Sequence, residues 1–157
     1  MEQDRAARDR EAAALMRRHL TVGWVMLLAF LSLGMLLEAF HGFKVRWYVD
    51  LNNVTRRLMW TLAHAHGVLI GLIHIAFAAT VHFSPQPFKQ RPLASTCLVV
   101  AGVLLPGGFL LGGVTIHQGD PGIGVFLTPI GGLLLFACVG LTVRGLLREK
   151  PSESDPG

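Results

Sequence analysis

Titratable side chains beside or within long apolar segments are the residues of this sequence that could do chemistry. Glu38, His41, His64 and His117 are the main candidates. Histidine and carboxylate groups can ligate a metal ion or a haem iron, and they can also transfer protons. An ionisable group inside a bilayer is costly unless it has a partner or faces water. These four residues are therefore where a site is expected.

Four long stretches of the chain must position these groups. Residues 19–37, 58–88, 92–119 and 121–143 contain no Lys, Arg, Asp or Glu. Each stretch reaches the roughly 18 residues needed to cross a bilayer. With 52% hydrophobic and only 15% charged residues, the chain is predicted to be an all-α integral membrane protein with four transmembrane helices in an antiparallel bundle.

The predicted organisation has three parts. Residues 1–18 form a cytoplasmic, N-terminal lead-in, and residues 148–157 form a disordered tail. The transmembrane domain covers residues 19–147, with helices at about 20–40, 58–82, 93–115 and 124–147. Three prolines in the segment 84–92 separate the second helix from the third.

The net charge of +4 indicates membrane topology rather than nucleic-acid binding. With a cytoplasmic N-terminus, the inner segments hold ten Lys and Arg residues and the outer segments hold four. This asymmetry follows the positive-inside rule and predicts that both termini are cytoplasmic. The expected location is the cell inner membrane, as a multi-pass protein. The expected partners are the lipid bilayer and either other membrane subunits or further copies of the chain.

Helical periodicity predicts which side chains face the interior of the bundle. At about 100° per residue, most polar and small residues of helix two share one sector, whereas His66 lies opposite and should contact another helix or subunit. Glu38 and His41 share a face of helix one with Gly34. The shared sector of helix two contains Trp60, His64, Gly67, Gly71, His74, Ala78 and His82.

Topology then brings the candidates to a similar depth. Glu38 and His41 lie at the outer end of helix one, and His117 follows the outer end of helix three. His64 is about seven residues into helix two, roughly 10 Å from its outer end. Together with Asp120, these groups could meet in one outer-leaflet pocket centred on His64.

Several chemistries fit such a pocket. His64 with His41 or His117 could hold haem b, and His64, Glu38 and His41 could hold a single metal ion. The same groups could relay protons or position a substrate. Alternatively, they hydrogen-bond across helices and determine the register of the bundle. The leading hypothesis is an accessory or cofactor-binding subunit, the rivals being a small isomerase or mutase acting on an apolar substrate and a purely structural bundle.

Two glycine-rich segments resemble a known family. Segment 125–132 reads Val-Phe-Leu-Thr-Pro-Ile-Gly-Gly, and segment 102–112 reads Gly-Val-Leu-Leu-Pro-Gly-Gly-Phe-Leu-Leu-Gly. They are similar to the last two helices of the bacterial domain-of-unknown-function 423 family, whose eukaryotic relatives are called transmembrane protein 256. His64 matches a histidine early in that family's second helix. The resemblance covers helices two to four and implies a four-helix membrane architecture without a settled activity.

Helix two carries a further likeness. Segment 63–71 reads Ala-His-Ala-His-Gly-Val-Leu-Ile-Gly and looks like the Ala-His-x-x-Gly segment of hydroxylaminobenzene mutase. It is also similar to histidine-bearing helices of haem–copper oxidase subunits. These likenesses imply the enzyme and haem alternatives, each over a single helix.

Overall fold

The computed structural model describes residues 2–50, 54–84 and 90–148 of the chain. Four of the described helices are long and apolar enough to cross a membrane, so that part of the fold prediction is confirmed. The elements in chain order are α1 (Glu2–Gly42), α2 (Arg46–Val49), α3 (Val54–Phe83), α4 (Arg91–Gly112), β1 (Ile116–His117), β2 (Asp120–Pro121), a 3-10 helix (Ile123–Phe126) and α5 (Leu127–Leu147).

The connection after α4 is a short hairpin. α4 ends at Gly112, whose carbonyl accepts a hydrogen bond from the Gly122 amide at 2.8 Å. β1 and β2 pair antiparallel around Gln118 and Gly119, which have φ angles of 52° and 92°. Two consecutive positive φ angles are typical of a type I′ hairpin turn. The predicted end at residue 115 was late because the sequence stays apolar beyond Gly112.

Two other boundaries also differ from the predicted ones. The lead-in 1–18 and helix one form a single continuous helix, α1, from Glu2 to Gly42. The short helix α2 lies between the first two predicted helices, where no helix was predicted. Most of the predicted tail, residues 149–157, lies outside the described residues.

The long helices pack in chain order, α1 against α3, α3 against α4, and α4 against α5. Successive long helices are antiparallel. His19 of α1 meets His74 in the second half of α3. Trp60 near the start of α3 donates to the Leu110 carbonyl near the end of α4. Gly131 near the start of α5 lies beside Leu105 in the second half of α4. The bundle therefore has two ends. The hairpin end carries α2, β1 and β2, and the termini end carries Arg91 and Arg148.

Glycines bring α1 and α3 close together. A methyl group added at Gly23 would lie 2.8 Å from the Gly71 carbonyl oxygen, and one added at Gly71 would lie 3.1 Å from the Gly23 carbonyl oxygen. The two backbones thus approach each other directly at this crossing. Small residues at such crossings are what allow helices to associate when the surrounding solvent is lipid.

The outward faces of the helices are strongly apolar. Leu28 and Met35 of α1 and Leu133 and Phe136 of α5 are each more than 70% exposed. Water-soluble monomers rarely expose large contiguous apolar patches. These faces are suited to contact with lipid chains or with other helices.

Candidate functional site

A groove lies between α1 and α3 at the hairpin end of the bundle. Its volume is about 700 Å³ and it is open to the surface. Its lining combines apolar side chains with acidic, basic, hydroxyl and imidazole groups. The lining residues are Leu31, Gly34, Met35, Leu37, Glu38, His41, Gly42, Tyr48, Arg57, Thr61 and His64.

Three of the predicted site residues line this groove, and one does not. Glu38 and His41 come from the last turns of α1, and His64 comes from α3. His117 is exposed on β1, where it pairs with Asp120 of β2. The hairpin keeps both of these residues out of the groove lining.

His64 is held in a defined orientation by α1. Its Nδ1 atom is 2.7 Å from the Phe30 carbonyl oxygen. A carbonyl oxygen only accepts hydrogen bonds, so Nδ1 carries the proton and donates. In the neutral ring, Nε2 then keeps its lone pair and can accept a hydrogen bond or a proton.

Gly34 makes this contact possible. A Cβ atom added at Gly34 would overlap the imidazole ring of His64. Because glycine has no side chain, the ring can lie directly against α1 and reach the carbonyl of Phe30, one turn earlier. The site therefore depends on one glycine as much as on the histidine.

Three polar residues of the groove were not predicted as site residues: Tyr48, Arg57 and Thr61. Two of them were detectable, because Arg57 and Thr61 precede His64 by seven and three positions on α3. This spacing puts all three on one face of a helix. Tyr48 was not detectable in this way, because it lies on the short helix α2, which the sequence did not predict.

An aromatic cluster that includes the groove residue Tyr48 lies at the hairpin end of the bundle. Tyr48 is buried and stacks with Trp60 at a centroid distance of 6.4 Å, and Trp60 contacts Trp47 at 5.1 Å. The Arg56 guanidinium lies 4.8 Å from the centre of the Trp47 ring. Tyr48 thus lines the groove from a packed position.

A second polar cluster lies in the other half of the bundle. His19 of α1 contacts His74 of α3 through their Nδ1 atoms at 2.7 Å. The Nε2 atom of His19 is 2.8 Å from the Ser95 hydroxyl of α4. All three side chains are buried, so this cluster joins three helices through interhelical hydrogen bonds.

The contact between the two Nδ1 atoms requires one proton to lie between the imidazole rings, and either histidine can be its donor. One Nδ1 atom of the pair must donate and the other accept, so the two rings share a single proton between them. The Nε2 atom of His74 is buried and has no hydrogen-bond partner among residues 2–50, 54–84 and 90–148. It lies instead beside Gly102, where an added Cβ would be 3.2 Å away.

His19 is not among the site residues that the sequence predicts. It precedes Gly23 by four positions, so it shares the face on which α1 meets α3.

The other two histidines of α3, His66 and His82, belong neither to the groove nor to the buried cluster. His66 packs against Phe109 of α4 with a centroid distance of 4.8 Å, which agrees with its predicted contact with another helix. His82 is exposed beside Phe83, so its predicted position in the inward sector is wrong.

The described residues offer little for a metal ion. Within residues 2–50, 54–84 and 90–148, no group of three or more His, Cys, Asp or Glu side chains could hold one. The haem and single-metal predictions thus gain no support from the structure.

The fold and the groove together define a class of protein. It is a helical protein with four helices long and apolar enough to cross a membrane, and it carries a mixed polar and apolar groove at one end. No protein-family model, curated protein or solved structure matches the chain. The likeness to the domain-of-unknown-function 423 family stays a prediction.

Proposed function

We propose that this protein is a multi-pass protein of the cell inner membrane that binds a neutral, membrane-dissolved amphiphile of the phenol or quinol class in the groove between α1 and α3. Binding such a ligand would suit an accessory or cofactor-binding subunit of a membrane complex. The observation that carries the proposal is the orientation of His64, whose Nδ1 atom is engaged by the Phe30 carbonyl while its side chain lines the groove.

The groove has the chemistry that such a ligand needs. His64 Nε2 and the Glu38 carboxylate accept hydrogen bonds, so they suit a hydroxyl group, while the Arg57 guanidinium donates and suits a carbonyl or phenolic oxygen. Leu31 and Met35 supply an apolar wall for a ring or tail.

The groove is also large enough. Sites for small organic molecules usually have volumes of about 300–1,000 Å³, and this groove measures about 700 Å³. Its position between two membrane-length helices would let a ligand enter sideways from the lipid.

Replacing Gly34 by alanine should weaken binding of a decyl-substituted benzoquinol by roughly two- to tenfold. The added methyl group displaces the His64 ring, and one hydrogen bond to the ligand contributes roughly 0.5–1.5 kcal/mol. Quenching of Trp47 and Trp60 fluorescence would report binding, in a Trp24→Phe background that removes the tryptophan farther from the groove. His64→Leu should weaken binding to a similar degree.

Gly42→Ala provides the matched control. Gly42 lies in the same helix and lines the same groove, but a Cβ added there would have no atom within 4 Å in the described structure. This variant should bind like the wild type. Saturable binding that is unaffected by both Gly34→Ala and His64→Leu would refute the role of His64, and no saturable binding at all would favour the purely structural bundle.

The proposed orientation places both termini in the cytoplasm and the hairpin outside. The antiparallel packing and the charge asymmetry support it. A cysteine introduced at the exposed residue Gln118 should react with an impermeant maleimide in intact cells, whereas one introduced at the exposed residue Arg8 should react only after permeabilisation. The native thiols of Cys97 and Cys138 are buried and should give little background. The reverse labelling pattern would show that the termini lie outside and the hairpin lies in the cytoplasm.

A further inference from the structure

The outward face of α5 carries a second concave surface, far from the groove. This α5 trough has a volume of about 490 Å³, and its apolar wall includes Phe136, Val143 and Leu147. Arg144 and Arg148 complete it at the termini end of the helix. The trough thus has an apolar part and a cationic part, arranged along the direction of the helix.

Gly140 produces the concavity. A Cβ added at Gly140 would meet no atom of the described structure within 4 Å, so the space above it is open. Phe136 and Leu147 project on either side of it and are 82% and 81% exposed. A chain lying over Gly140 would be flanked by these two side chains.

The two arginines share one edge of the helix because they are four residues apart. Both are exposed, and α5 itself contains no Asp or Glu. Guanidinium groups match the geometry of phosphate oxygens. The cationic part of the trough is therefore complementary to an anionic phosphate group at the membrane surface.

The length of the trough matches one lipid leaflet. From residue 136 to residue 148 a helix rises roughly 18 Å, and one leaflet of hydrocarbon is about 15 Å thick. A phospholipid with its phosphate at Arg144 and Arg148 would have an acyl chain long enough to reach Phe136.

We infer that the α5 trough binds one anionic phospholipid, with the phosphate on Arg144 and Arg148 and an acyl chain over Gly140. Basic pockets at the cytoplasmic ends of transmembrane helices are suited to such head groups. This inference depends on membrane insertion but is independent of any ligand in the groove between α1 and α3.

Lipid titration of the detergent-purified protein, followed by native mass spectrometry, tests the inference. Dioleoyl phosphatidylglycerol should bind more tightly than dioleoyl phosphatidylcholine. The double variant Arg144→Gln/Arg148→Gln should bind phosphatidylglycerol on the order of thirty-fold more weakly, because each arginine near an anionic surface contributes about a fivefold factor. Gly140→Leu, which fills the trough without changing the charge, should also weaken binding.

Arg5→Gln/Arg8→Gln is the matched control, since it removes two exposed arginines of α1 that lie outside the trough. It should bind phosphatidylglycerol like the wild type. Equal binding of the two lipids, or an equal loss in both double variants, would overturn the inference. Unchanged lipid binding in Arg144→Gln/Arg148→Gln would also overturn it. That result is expected if a second copy of the chain, rather than a lipid, occupies this face.

Discussion

Replacing Gly131 by valine should lower the free energy of unfolding by about 1–3 kcal/mol, the usual cost of forcing extra volume into a packed interface. Gly131 lies where α5 crosses α4. A Cβ added there would be 2.7 Å from the Leu105 backbone nitrogen and 3.0 Å from its Cα. Because these atoms belong to the backbone, no change of rotamer can relieve the overlap, and the two helices must separate.

The neighbouring residue gives a close control for this prediction. Gly132 is on the same helix, but a Cβ added at Gly132 would have no atom of the described structure within 4 Å. Gly132→Val should therefore report only the intrinsic change in helix propensity. Unfolding by denaturant in detergent micelles, followed by tryptophan fluorescence, would give the difference between the two variants. Equal stabilities would show that α4 and α5 do not pack at Gly131.

Replacing His19 by leucine should also destabilise the protein by about 1–3 kcal/mol, the cost of leaving buried polar groups without partners. His19 is the central member of its cluster, since it contacts both His74 and Ser95. The variant leaves the buried imidazole of His74 without its hydrogen-bond partner His19. Ser95 suffers less, because its hydroxyl can turn back to a carbonyl of its own helix.

A double-mutant cycle distinguishes this hydrogen bonding from simple packing. His19→Leu/His74→Leu removes both rings, so it should be more stable than the sum of the two single effects predicts. Interhelical hydrogen bonds in membranes average about 0.6 kcal/mol and reach about 1.7 kcal/mol, and a coupling energy in that range is expected. His82→Leu, at an exposed position on the same helix, should be nearly neutral. Strictly additive single effects would contradict the shared proton between His19 and His74.

The position of His64 shows which parts of the groove helical periodicity can predict. Sequence spacing put His64 on the inward face of its helix and put Glu38 and His41 at a matching depth on α1. The same reasoning extends to Arg57 and Thr61, which share the face of His64. What periodicity does not contain is the contact itself, because the ring reaches the Phe30 carbonyl only where α1 and α3 are close enough at Gly34.

His117 illustrates the opposite case. Its depth in the predicted bundle matched that of His64, yet the β1–β2 hairpin holds it on the surface beside Asp120. The sequence predicts only how deep a residue lies along the bundle axis. Whether the residue points into the bundle or away from it depends on the turn in the connection that carries it. The type I′ turn at Gln118 and Gly119 directs this connection, and its backbone angles were not evident from composition.

The sequence by itself determined that the chain forms four long apolar helices and that His64 and His74 lie on the inward face of the second. Those properties depend on local composition and on the 3.6-residue period of a helix. Only the tertiary structure decided which groups meet, placing His64 against Gly34 and His19 against His74 and Ser95. Such meetings depend on interhelical distances of a few ångströms, which glycines on facing helices determine together and no single segment encodes alone.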